Sequence, residues 1–129
     1  MKEGDYTGRK ILIVEDDFSS RLYLNKLVER SGIGILNATT GSEALELASS
    51  DSSIDIILMD IQLPVIDGIA CTRMLREAGN KSIIIAQTAY GLTGDKEAFL
   101  SSGFNDYLIK PISKLQLLEK MGKYLDIKK

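Results

Sequence analysis

The sequence predicts an α/β fold: one parallel sheet of five short strands with helices packed on both faces. Three observations carry this. Short apolar, β-branched runs alternate with stretches of helical period along the whole chain. Four of the five runs are apolar almost without interruption, as strands covered on both faces must be. Glycines and capping residues fall where the helices have to stop and start.

The elements follow in order. The strands are expected at 10–14, 33–38, 54–59, 82–87 and 105–109. The second, Ile33-Gly34-Ile35-Leu36-Asn37-Ala38, is the most polar and interrupted, which suits an edge. Leu24, Leu27, Val28 and Ser31 share a face of a first helix, and Ala44, Leu45, Leu47 and Ala48 mark a second. Cys71, Met74, Leu75 and Ala78 stand at the i, i+3, i+4, i+7 spacing of a third. Ala98, Phe99 and Ser102 indicate a short fourth, and Leu117, Leu118, Met121, Tyr124 and Leu125 a fifth. Thr40 with Glu43 and Ser113 with Gln116 have capping-box spacing. Gly32, Gly79 and Gly103 each follow a helical stretch and precede a strand.

At 129 residues the chain fits one domain. The expected division is a mobile tail over 1–8, the domain over 9–126 and a short tail over 127–129. Net charge is −2 with the basic residues scattered, which argues against nucleic acid as a partner. Lys120, Lys123, Lys128 and Lys129 form the one local excess and read as a solvated helix face with a frayed end. No apolar run approaches the ~20 residues that cross a bilayer, so no membrane partner is expected. The single Cys71 fits a reducing compartment, and the expected location is cytoplasmic. There is no histidine, so a histidine phosphoryl carrier would have to be another molecule.

Repeated βα units imply right-handed crossovers. Strands one, three, four and five each run into a chemically active group: Glu15-Asp16-Asp17, Asp60, Thr88 and Lys110-Pro111. Strand two does not. The flavodoxin-like doubly wound (βα)5 order 2-1-3-4-5 places strand two at an edge and gathers those groups at the carboxyl edge. Such sheets bind ligands there. Carboxylates suit a hard cation, and a lysine and a hydroxyl suit an anion.

The runs Ile11-Leu12-Ile13-Val14-Glu15-Asp16-Asp17, Met59-Asp60-Ile61-Gln62-Leu63-Pro64 with Asp67-Gly68, Gln87-Thr88-Ala89, and Asp106-Tyr107-Leu108-Ile109-Lys110-Pro111 resemble the receiver domain of bacterial response regulators. The resemblance covers roughly 9–125. It implies that Asp60 is the phosphoacceptor. It also implies that Glu15, Asp16, Asp60 and the backbone carbonyl of Gln62 serve Mg²⁺ (or Mn²⁺), Glu15 largely through water. Thr88, the Ala89 backbone N–H and Lys110 would bind the phosphoryl oxygens, with Thr88 and Tyr107 as switch residues and Pro111 as a cis proline. Gln62 and Tyr90 would tune the lifetime of the acyl phosphate. The implied donor is a histidine kinase or histidine phosphotransfer domain. The implied output is a downstream protein bound at the fourth helix, fifth strand and fifth helix. On this reading the chain is no enzyme toward separate substrates, but a phosphoacceptor with self-directed phosphotransfer and autodephosphorylation.

Plainer roles stand beside these. Asp17 is well placed to cap the first helix and Asp67 the third. Cys71 reads as core, with no histidine to activate it. A Mg²⁺-dependent phosphatase with an aspartate nucleophile resembles Asp-x-Asp, but Gln62 stands where its second acid belongs. A flavin or nucleotide carrier needs a Gly-rich or hydroxyl-rich phosphate loop after the first strand, where this chain is acidic. A stand-alone regulator and a receiver cut from a hybrid sensor kinase both stay open.

Overall fold

The computed structural model describes residues 5–89 and 101–126. Strands β1 (Lys10–Val14), β2 (Gly34–Ala38), β3 (Ile56–Asp60), β4 (Ile83–Thr88) and β5 (Asp106–Ile109) form one sheet. Its order is β2-β1-β3-β4-β5 and every pairing is parallel. Helices α1 (Phe18–Val28), α2 (Gly41–Ser50) and α3 (Gly68–Glu77) and a C-terminal helix (Lys114–Leu125) cover it. A 3₁₀ turn, Glu29–Ser31, extends α1. The fourth helix expected at Ala98 and Phe99 falls outside the described residues, as does Tyr90.

The period of two along each strand divides the core. Ile11, Ile13, Ile56, Leu58, Ile85 and Leu108 face α1 and the C-terminal helix, where Leu24, Val28, Leu117 and Met121 meet them. Leu12, Val14, Ile57, Met59, Ile84 and Ala86 face α2 and α3, packing on Ala44, Ala48, Cys71 and Leu75. The edge strand β2 exposes Gly34 and Asn37.

Local signals resolve into specific bonds. Asp17 caps α1 by accepting from the Ser20 N–H, and Asp67 caps α3 through the Ala70 N–H, each at 2.8 Å. Thr40 caps α2 through the Glu43 N–H at 3.0 Å, while the Glu43 carboxylate reaches the N–H of Thr39 at 2.7 Å. Ser113 caps the C-terminal helix through the Gln116 N–H at 3.1 Å.

Two expectations need correction. The buried stripe of α3 is Gly68, Cys71, Thr72 and Leu75, whereas Met74 is 44% exposed and Ala78 is exposed. Cys71 and Leu75 keep their places, but the face is turned toward the helix start. The cause is close docking of the first turn: Gly68 lies against the backbone of Asp60 and Ile61 and donates its N–H to Ile61 at 2.8 Å. The mobile tail expected over 1–8 does not hold at Tyr6. That ring is buried in the α1 side of the core, and its hydroxyl lies 3.2 Å from Asp126. Burial of the ring offsets part of the cost of ordering this segment, and backbone bonds from Tyr6 N–H to the Ser31 carbonyl and from Arg9 N–H to the Tyr6 carbonyl tie it further.

Arg76 ties α3 to the segment entering β5. Its guanidinium donates to the carbonyls of Gly103, Asn80 and Ser82 and to the Asn105 side chain, all within 3.0 Å. Gly103 has φ +117°, and a Cβ there would sit 2.7 Å from Arg76 Cγ.

Candidate phosphoacceptor and metal centre

At the carboxyl edge, β1 ends at Val14, and the next N–H, on Glu15, still bonds to Ala38 at 3.0 Å. Glu15 therefore points the same way as Ile11 and Ile13, toward α1, and its side chain is buried. Asp16 follows and is exposed. The last residue of β3 is Asp60, on the same face as Ile56 and Leu58 and 2% exposed. After β5, Lys110 bonds its backbone N–H to the Thr88 carbonyl at 2.8 Å. The peptide that follows, Lys110–Pro111, is cis.

These strand ends bring the acids together. Glu15, Asp16 and Asp60 each offer a carboxylate oxygen, and the three lie within 4.8 Å of one another. Lys110 Nζ stands 3.4 Å from Glu15 Oε1 and 3.2 Å from Asp60 Oδ2. The other oxygen of Asp60 accepts the Gln62 N–H at 3.0 Å, and Glu15 Oε2 accepts the Asp17 N–H at 3.1 Å. Burial pushes the Glu15 carboxyl above its ordinary range, and the Asp60 charge adds to it. Burial alone would lower Lys110, but the charges of Asp60 and Glu15 and the bonds to them outweigh it and hold the ammonium above its usual value. Two of the three carboxylates, Glu15 and Asp60, thus share one ammonium, and the cluster keeps a local excess of negative charge. The donor set is all hard oxygen, the kind that holds Mg²⁺ rather than a softer metal.

The other residues singled out in the sequence lie around this cluster. Thr88 ends β4 and is buried, Ala89 follows it exposed, and Gln62 and Pro111 are exposed. Tyr107 is half-buried on the α3 side of β5. Two contributors had no role assigned from the sequence. Arg21 donates to the Glu15 carbonyl at 2.9 Å from one turn into α1. Gln87 is 1% exposed and sits beside Asp60 in register. Its signal was available, since it is the one polar side chain in the run Ile83-Ile84-Ile85-Ala86-Gln87.

Sheet order and acidic edge together define a doubly wound α/β protein with its polar centre at the reversal between β1 and β3. Residues 11–122 match the model of the response regulator receiver domain, and the chain belongs to that family, which serves two-component signal transduction. It is 38% identical over 117 residues to two-component response regulator 24 of Arabidopsis thaliana, covering 88% of this chain and 84% of that protein. It is 40% identical over 119 residues to hybrid signal transduction histidine kinase I of Dictyostelium discoideum, covering 86% of this chain but 7% of that protein.

Among solved structures, it superposes with a TM-score of 0.81 on the receiver domain of sensor histidine kinase PA1611 from Pseudomonas aeruginosa, described with magnesium coordinated in its active-site cleft. Identity is 35%, over 90% of this chain and 96% of that one. It superposes with a TM-score of 0.85 on a chain of the Saccharomyces cerevisiae co-crystal of the histidine phosphotransfer protein Ypd1 with the Ssk1 receiver domain. Identity there is 27%, over 99% of this chain and 98% of that one. Among the described residues no helix is long and apolar enough to cross a membrane.

Proposed function

We propose that Asp60 accepts a phosphoryl group from a phosphohistidine on another protein, a histidine kinase or a histidine phosphotransfer domain. The observation that carries this is the Lys110 ammonium 3.2 Å from a buried Asp60 carboxylate, inside a cluster of acids gathered from two strand ends. An Asp60 oxygen attacks phosphorus, the bond from phosphorus to the donor imidazole nitrogen breaks, and its electron pair stays on that nitrogen. The product is an acyl phosphate. Lys110, the Thr88 hydroxyl and the Ala89 N–H receive the phosphoryl oxygens.

Asp16, Asp60 and the Gln62 carbonyl would hold Mg²⁺ (or Mn²⁺), with Glu15 acting largely through water, and the ion would supply the positive charge that Lys110 alone does not. Hydrolysis of the acyl phosphate returns Asp60. Gln62 orients the water, and Tyr90, outside the described residues, shields the bond. The signal is the inward turn of Tyr107 with Thr88, read by a partner protein at the face of the fourth helix, fifth strand and fifth helix. The histidine donor is supported by the likeness to the Ypd1–Ssk1 co-crystal. The Dictyostelium and Pseudomonas relatives favour a second architecture, in which this receiver is part of a hybrid sensor kinase. The phosphatase alternative needs an acid where Gln62 stands.

The test is incubation with Mg²⁺ and acetyl phosphate followed by intact mass. The expected result is the mass gain of one phosphoryl group, absent in Asp60→Asn and lost on removing the metal. A folded sample that gains no mass with competent donors would overturn the reading.

A further inference from the structure

A cation held between two strand exits needs those exits fixed relative to each other. Glu15 and Asp16 leave β1, and Asp60 ends β3. Direct pairing of β1 with β3 ends with Val14 opposite Met59, one residue short of the carboxylates. Besides Lys110, which reaches Glu15 and Asp60, a residue that belongs to neither strand touches both exits. On β4, Gln87 lies directly opposite Asp60. Its backbone carbonyl accepts the N–H of Ile61, the residue after Asp60, at 3.1 Å. Its side-chain Nε2 donates to the carbonyl of Val14, the residue before Glu15, at 3.4 Å. With 1% of its surface exposed, the amide is inside the protein, where a polar group is kept only with partners. The four residues before it on β4 are apolar, so packing on this face does not call for an amide.

We infer that Gln87 is a positioning residue for the acidic centre, its side-chain amide fixing the β1 exit against the β3 exit and so setting the separation of the cation-binding carboxylates. The backbone half of this brace would be made by any residue. The side-chain half is particular to glutamine. Asparagine is one methylene too short to span it, and methionine matches the length without a donor. Gln87 holds no ligand itself and acts through Glu15, Asp16 and Asp60. This rests on the reading that those three carboxylates bind a divalent cation.

The experiment compares wild type, Gln87→Met and Asp60→Asn. Mn²⁺ affinity is measured by electron paramagnetic resonance, and metal-free backbone amide shifts by NMR. Removing a partner that orients metal ligands weakens binding roughly 10- to 100-fold. Gln87→Met is expected to bind Mn²⁺ about tenfold more weakly than wild type. Its metal-free Glu15 and Asp16 amides should shift while β2 and α2 stay unchanged. The Mg²⁺ concentration for half-maximal phosphorylation by acetyl phosphate should rise by the same factor. The rate at saturating Mg²⁺ should stay within about twofold, a split that general loss of structure does not give.

Equal affinity and unmoved Glu15 and Asp16 amides in a folded Gln87→Met would overturn the inference and leave the metal site standing. Wild type that fails to bind Mn²⁺ would instead sink the underlying reading. Should Gln87→Met not fold, the wild-type protein still decides. Slowed solvent exchange of the Gln87 side-chain amide protons, with NOEs from them to Val14 and Glu15, supports the brace, and a freely exchanging amide without those NOEs refutes it.

Discussion

Gly68 is where helix propensity and tertiary structure make opposite predictions. Alanine is the better helix former by about 1 kcal/mol, so propensity alone has Gly68→Ala stabilising α3. Yet a Cβ at Gly68 would stand 2.2 Å from the Asp60 carbonyl oxygen, 2.7 Å from Ile61 Cα and 2.9 Å from the Asp60 carbonyl carbon. Raising the shortest contact from 2.2 Å to the 3.0 Å that real Cβ atoms respect requires a movement of at least 0.8 Å. All three atoms are backbone, so no side chain can rotate away.

Overpacking of this kind costs roughly 1–3 kcal/mol, and a rigid neighbour puts it near the top of that range. Set against the propensity gain, the net loss is about 2 kcal/mol, a fall in Tm of roughly 8 °C for a domain of this size. The displaced atoms belong to Asp60 itself. A misplacement near 1 Å slows a positioned reaction by up to about 100-fold, so phosphorylation by acetyl phosphate should slow by one to two orders of magnitude. The control is Gly122→Ala in the C-terminal helix, where a Cβ would meet only the ends of the Asp126 and Tyr6 side chains, at 3.3 and 3.7 Å. That variant should melt at or above wild type. Thermal melts and timed intact-mass measurements on both variants decide the matter. A Gly68→Ala protein as stable as wild type, or phosphorylated at its rate, would show that the contact between α3 and the β3 exit is not as tight as described.

Further outcomes follow from other sites. The Thr72 hydroxyl is fully buried and, among the described residues, has no hydrogen-bond partner; Thr72→Val keeps its shape and should raise stability by about 1 kcal/mol by chemical denaturation, whereas a loss would show that the hydroxyl is bonded. In metal-free protein, Asp60→Asn relieves the crowding of Glu15, Asp16 and Asp60 and should raise the melting temperature, while abolishing the stabilisation that Mg²⁺ gives wild type. Burial, then the Asp106 carboxylate at 3.0 Å, push the Tyr124 phenol up to about 12. A raised pKa favours the protonated form in the fold, so this contribution is complete below the unfolded value of ~10 and is lost as pH rises from there through about 12. NMR titration of the Tyr124 ring should therefore lag an exposed tyrosine, and Asp106→Asn should shorten the lag.

Helical and strand periods, together with Asp17, Thr40, Asp67 and Ser113, were enough to place every described strand and α-helix and the caps of four helices. Each of these signals is local, resting on residues within one turn or on alternating faces of one strand. The alternation of strand and helix also limited the sheet to a parallel one, and the residues at 15, 16, 60, 88 and 110 gained a shared edge from that topology. What local pattern could not supply was the rotation of α3. Its buried stripe depends on how near Gly68 comes to the Asp60 backbone, a contact between segments that have no periodic relation. The docking of Tyr6 on the C-terminal helix was hidden likewise, because its partners lie at the other end of the chain. So was Gln87. A polar residue closing an apolar strand was visible in the sequence, but its reach from β4 to the Val14 carbonyl depends on the sheet order and on side-chain length together. The sequence by itself determined the elements, their caps and which chemical groups end the strands, since short-range sterics and burial period fix these. Only the tertiary structure decided the distances among those groups and the contacts that hold them, because these arise when remote segments compete for the same space.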